Sequence, residues 1–195
     1  MAIVINGSGT VTGISVGGLP DGIVDDGTLA TDSVTAAKLK DDAIATGDLP
    51  AGSVIQVVSS TVRTSQDTTT SGTPAEINSA YRVTITPTAT SSKILLMFFG
   101  GWHIGEDSSM GMGIYRSVDG GGYSMVNTGS SDETYRNRDD SFVEQSSGAI
   151  MHYDSPSTTD VCIYTPYYWR SSGSEAIAVN DNSMGSFMLG MEVAG

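Results

Sequence analysis

The chain is poor in cysteine, histidine and positive charge, and each shortage narrows what it can be. Cys162 is the single cysteine; it cannot close an intramolecular disulfide, and in the run DVCIYTPYYW it reads as a small buried apolar residue. Nine scattered Lys and Arg stand against 22 Asp and Glu, a formal net charge of −13. Nucleic acid and anionic membranes demand a clustered positive face, so neither is an expected partner. An acidic surface instead resists non-specific adhesion to polyanions and debris. No apolar run approaches the roughly 18 residues that would cross a bilayer. The opening MAIVINGSGTVTG has no basic residue ahead of its short apolar patch, so it is not read as a secretory signal. The chain is expected to be made in the cytoplasm and carried out if it acts outside. Charged residues make up 16% of the total, against about a quarter in ordinary domains. Solubility therefore rests on Ser, Thr, Asn and Gly, a habit of β-rich, turn-rich surfaces.

Catalytic and metal-binding patterns are equally sparse. His103 sits between Trp102 and Ile104, and His152 lies in GAIMHYD; with Cys162 as the lone thiol, they do not compose a zinc site, and a structural or interface role is expected for both. No Gly-x-Ser-x-Gly elbow occurs, and no Ser, His and acid set stands out. Adjacent acids at 25–26, 41–42 and 139–140 do not make a glycosidase pair, which is a pairing in space across a sugar. The DDG at 25–27 and NDN at 180–182 offer oxygen ligands without EF-hand spacing, and such residues favour turns anyway. The DGGG at 119–122 lacks the Lys-Ser/Thr and helix of a phosphate cradle. No enzyme activity, cofactor or metal is expected.

What the sequence does have is a ladder. Leu19, Val24, Leu29, Val34, Leu39, Ile44, Leu49 and Val54 recur every five residues, Leu alternating with Val or Ile, so the unit is ten residues long. Half-units such as LPDGIV, LATDSV, LKDDAI and LPAGSV carry turn signals; VTAAKL alone resembles a helical turn, with Thr35 as its cap. One aliphatic per five residues cannot offset an ordering entropy of roughly 1–2 kcal/mol per residue within a single chain. The ladder is expected to be either an oligomeric stalk, with copies stacking their aliphatics along a common axis, or a linker that orders on binding. This region spans residues 1–52.

Residues 53–195 read as strands. The runs SVIQVVSST, YRVTITP, KILLMFFGGWHI, MGMGIYRSV, GYSMV, GAIMHYD, DVCIYTPYYW, EAIAVN and GSFMLGMEV are β-branched or aromatic and are separated by turn-forming clusters. RSVDGGGYS predicts a hairpin. No helix of normal length is predicted. The fold class is all-β: an antiparallel sandwich, most simply a jelly roll, preceded by an extended repeat-bearing segment.

One strand is apolar on both faces. Ile94, Leu96, Phe98, Trp102 and Ile104 occupy one side of residues 93–104, and Leu95, Met97, Phe99 and His103 the other. An antiparallel strand ordinarily packs one face and wets the other, as YRVTITP does. The C-terminal strand sets Phe187, Leu189, Met191 and Val193 against Met188 and Gly190. Two such strands predict a buried subunit interface, with Leu95, Met97, Phe99 and Met188 joining the ladder in it; the alternative is a thick core closed by a long loop.

The segments MAIVINGSGTVTGISVGGLPDG, VTAAKLKDDAIATGDLPAGSVIQVV, VTITPTATSSKILLMF and FMLGMEVAG together resemble tail-fibre or related virion fibre proteins of tailed bacteriophages, particularly those of aquatic bacteria. The likeness covers both ends and the centre; residues 105–185 match in texture only. It implies a homotrimer with an N-terminal segment docked on other virion proteins, a short shaft, and a distal head that touches the host surface.

Receptor contacts are expected in the polar stretch NTGSSDETYRNRDDSFVEQSS, residues 127–147, read as a long loop. There Tyr135, Arg136, Arg138, Asp139, Asp140 and Phe142 combine planar donors, acceptors and an aromatic face suited to sugar hydroxyls or a peptide loop. A variable solvated loop would have the same composition. In the aromatic run, alternation groups Tyr167 and Trp169 with Val161 and Ile163 as core, leaving Tyr164 and Tyr168 as surface candidates. Two functions follow: an adsorption fibre reading a bacterial surface glycan or protein, or a structural virion part, such as a head fibre or baseplate adaptor, without a receptor.

Overall fold

The structure, a computed structural model, describes residues 31, 34, 35, 39, 44–126, 133–136, 144–180 and 184–195. The chain divides into two compact units, Met1–Ala45 and Thr46–Gly195. In the first, the described residues Thr31, Val34, Thr35, Leu39, Ile44 and Ala45 are all exposed. The helical turn expected at VTAAKL lies mostly outside the described residues.

The second unit holds twelve strands among the described residues: β1 Val54–Ser59, β2 Asp67–Thr69, β3 Ala75–Glu76, β4 Val83–Ile85, β5 Lys93–Ile104, β6 Ser109–Val118, β7 Ser124–Met125, β8 Glu133–Arg136, β9 Glu144–Asp154, β10 Cys162–Ser172, β11 Ile177–Val179 and β12 Phe187–Val193. No α-helix occurs among the described residues, only short 3-10 turns. All pairings are antiparallel and form two sheets. In the first sheet β5 is central. It pairs along its whole length with β9, from Ile94 opposite Asp154 to Ile104 opposite Glu144. Its other edge is shared by β12 and β11, flanked in turn by β1 and β2. In the second sheet β10 and β6 pair from Cys162 opposite Val118 to Ser172 opposite Ser109, flanked by β3 and β4 beside β10, and by β7 and β8 beside β6.

Strand alternation sends Ile94, Leu96, Phe98, Trp102 and Ile104 of the first sheet and Met110, Met112, Ile114, Tyr164 and Tyr168 of the second into one shared core. Burying each large side chain contributes about 1.5–3 kcal/mol. The 3-10 turn before β4 caps this core where Tyr81 meets Phe98 of β5 edge-on, ring centroids 5.2 Å apart, and the two sheets meet beneath it. They are clamped at one end by Asp154, which accepts from Arg116 at 2.7 Å and from the Tyr164 hydroxyl at 2.8 Å. The architecture is sandwich-like.

Two polar knots seal this core. Glu192 is fully buried, and its carboxylate accepts from the Thr88 amide and hydroxyl, from Ser92 and from Gln56 at 2.5–2.8 Å. Burial pushes its carboxyl upward, but these donors outweigh it and hold the group below the ordinary carboxylate range. Asn180, in the left-handed region at φ 62, donates to Tyr81, which shares a 2.6 Å hydrogen bond with Ser186.

The DGGG hairpin forms as its composition predicts. β6 and β7 pair across it, and Asp119 and Gly120 take φ of 48 and 74. The stretch 127–147 is not wholly loop: β8 lies within it, and β9 begins at Glu144. Polar residues enter strands there because the edges of β6 and β5 offer backbone partners, a tertiary effect that outranks local propensity.

Candidate functional site

The outer face of the first sheet is apolar across four strands. Direct cross-strand pairing places Tyr153, Leu95, Met191 and Val57 in one row. Met151, Met97 and Leu189 form the next, and Ala149, Phe99 and Phe187 the third. The Phe99 and Phe187 rings stack at 6.0 Å with an interplanar angle of 13°. Four of these side chains are largely solvent-accessible: Tyr153 61%, Met151 60%, Val57 53% and Phe99 46%. Large contiguous apolar surface of this kind marks an interaction site.

Leu95, Met97 and Phe99 thus share one face as the alternation expected. Met188 does not join them. It is fully buried in the core, and the outward residues of β12 are Phe187, Leu189, Met191 and Val193. The reason is register: Met188 lies opposite Phe98, a core residue, whereas Leu189 lies opposite Met97. Tyr153, Met151 and Val57 escaped the sequence reading because β9 and β1 look half-polar in isolation. Only pairing sets them beside β5.

Of the ladder, Val34, Leu39, Ile44, Leu49 and Val54 are exposed in the single chain. Leu19, Val24 and Leu29 lie outside the described residues.

The receptor candidates separate in the same way. Tyr164 and Tyr168 are buried, at 0% and 6% exposure, so both are corrected from surface to core. Burial pushes the Tyr164 phenol far up, with the Asp154 carboxylate adding to the shift, and burial pushes Tyr168 up to about 12. Tyr167, expected in the core, is only half-buried and faces outward. Trp169 is also on the outer face but is buried at 5% exposure. Aromatics on both faces of β10 left alternation undecided. The partner strand decides it, because Tyr168 pairs with Met112, which points inward, and Tyr167 pairs with Gly113. Tyr135 and Arg136 lie on β8, paired with Met110 and Ser109. Arg138, Asp139, Asp140 and Phe142 lie outside the described residues.

Cys162 is buried as expected, and burial pushes its thiol upward, away from thiolate chemistry. His103 faces outward beside a cavity of about 290 Å³ that Gly105, Glu106, Glu175 and Ala176 also line. Among the described residues, no group of three or more His, Cys, Asp or Glu could hold a metal ion. None of the helical segments among them is long and apolar enough to cross a membrane. No protein-family model matches the chain, and no curated protein matches it either.

Proposed function

We propose that the chain is a virion fibre protein of a tailed bacteriophage: a homotrimer whose N-terminal segment attaches to other virion proteins and whose distal β-sandwich head, a jelly roll, adsorbs to the host surface. The carrying observation is the outer face of β9, β5, β12 and β1, where Tyr153, Met151, Phe99 and Val57 stay exposed in one chain. Neighbouring copies bury that face around a common axis. The five-residue ladder, exposed at every described position, adds a second surface of the same kind along a stalk. The apolar character matches that of obligate oligomer interfaces, which resemble a domain core cut in half. Three copies present three equivalent weak sites, so avidity supplies adhesion where one shallow site does not. The protein acts at the virion by binding, without catalysis.

Sedimentation equilibrium of the full chain tests the assembly, with a trimer expected; a compact, soluble single copy overturns the reading. Fluorescently labelled protein added to host cells tests adsorption, and labelling at micromolar concentration is expected. Trimers that leave the cells unlabelled assign the chain instead to the structural part of the virion.

A further inference from the structure

We infer that the outer face of the second sheet carries a binding platform for a neutral pyranose glycan, built from Tyr115, Tyr123, Tyr167, Arg82 and Glu76, with the buried Thr165 bracing Glu76 from beneath. This rests on the reading of the head as an adhesive module.

The rings are already assembled. Tyr115 and Tyr167 stack at 4.0 Å between centroids and 18° between planes, and Tyr123 approaches Tyr167 at 5.9 Å. The Arg82 guanidinium lies 5.6 Å from the Tyr123 ring centre. Arg82 is held there by two parallel hydrogen bonds to Glu76, each 2.7 Å, and Thr165 donates to the same carboxylate at 2.8 Å. The residues come from β6, the β6–β7 connection, β10, β3 and the turn before β4, so the second sheet converges them. Opposite Tyr167 and Trp169, β6 carries Gly113 and Gly111. A Cβ at Gly111 would stand 2.2 Å from the Trp169 ring, so the glycine there is a requirement of close approach.

The chemistry favours a sugar over the other occupants of an exposed surface. Tyrosine offers an apolar ring with a polar tip, as a pyranose offers a C–H face with hydroxyls at its rim. Burial raises the Tyr123 and Tyr167 phenols, so each remains an O–H donor at physiological pH. Burial raises Glu76 too, but the Arg82 and Thr165 hydrogen bonds outweigh it and keep it a carboxylate. The pair thus holds fixed donors beside a fixed acceptor, the combination vicinal hydroxyls need, with its two charges mutually compensated. An anionic sugar would meet Glu76 and a chain of net charge −13, so the class is neutral. Arg82 and the three half-buried tyrosines leave the platform open to solvent.

Saturation-transfer NMR on the full chain tests this with methyl α-D-glucopyranoside, methyl β-D-galactopyranoside and N-acetyl-D-glucosamine, each against sodium glucuronate. Transfer to ring C–H protons of at least one neutral sugar is expected, exceeding that to glucuronate. Tyr167→Ala and Arg82→Ala should each weaken it by about tenfold or more. Tyr167→Phe, which keeps the ring, should retain most of the signal, and Val161→Ser all of it. If Tyr167→Ala fails to fold, Tyr123→Ala serves in its place. No transfer from any neutral sugar, stronger transfer from glucuronate, or transfer indifferent to Tyr167, Tyr123 and Arg82 each overturns the platform. Host-cell labelling separates the two ideas. Labelling that survives Tyr167→Ala and Arg82→Ala defeats the platform and leaves the fibre reading standing. Wild-type trimer that never labels cells defeats adsorption itself.

Discussion

The two sheets enclose one core and present opposite exteriors. Outside the β9–β5–β12–β1 sheet, rows of Tyr, Met, Leu, Phe and Val cover four strands with little hydrogen-bonding capacity. Outside the β10–β6 sheet, the large residues are Trp169 and tyrosines laced to an Arg–Glu pair, and glycines sit opposite Trp169 and Tyr167. Both exteriors carry large side chains, so size does not separate them. What separates them is whether polar side chains stand among the large ones, as Glu76 and Arg82 do, or only at the margins, as Ser59, Ser147 and Gln145 do. A large apolar face marks an interaction surface, whereas a tyrosine face with paired charges can stay wet and exchange water for hydroxyls. The first exterior suits assembly and the second recognition.

The largest effect breaks the comparison on the assembly side. If the proposed trimer forms, Met97→Glu with Phe99→Glu should convert it to monomer in sedimentation, with circular dichroism unchanged because neither residue lies in the core. Thr84→Glu, exposed on β4, should leave the trimer intact. Equal outcomes for the two would erase the distinction between the faces.

Next in size, Gly111→Ala drives a methyl into Trp169 and should destabilise the head by roughly 3 kcal/mol in thermal melts. Gly113→Ala meets Met125 at 3.4 Å, a flexible neighbour, and should lose far less. Matching losses would show that the β10 rings are not seated on the β6 glycines.

Glu192→Gln, at the β12 end of the first sheet, should lower stability by about 2 kcal/mol at neutral pH, since it replaces charge-assisted hydrogen bonds and turns a donor toward Gln56. The folded carboxyl titrates below its ordinary value of 4.5, so its contribution is present above that value and is lost as pH falls through the lower, folded one. Denaturant midpoints followed from neutral to acid should therefore drop more steeply in wild type than in Glu192→Gln. Parallel curves would refute the buried-carboxylate account.

Smallest, Arg82→Ala should change stability by only a few tenths of a kcal/mol, because its side chain is 41% exposed and surface pairs contribute little. A loss comparable with that of Glu192→Gln would make the Arg–Glu pair structural and not a recognition device.

Local pattern made much of the fold legible. The run KILLMFFGGWHI coincides with β5 residue for residue, and DGGG with the β6–β7 turn, because uninterrupted apolar sequence and positive-φ residues need no distant partner to be read. Short polar strands such as DTT of β2 and ETYR of β8 were illegible; they exist only through the neighbour they pair with. The candidate sites were less legible still. Tyr168 against Tyr167, and Met188 against Leu189, are exchanges of one residue along a strand, and either choice satisfies alternation.

The amino-acid order by itself therefore determined that this is a β-rich chain with more apolar surface than one sheet face can hide, since composition and period-two alternation act locally. Which face turns inward was decided only when β10 met β6 and β12 met β5. Side-chain direction reverses at every residue, so a single step of register moves a whole row between core and solvent, and only pairing across the sheet selects the step.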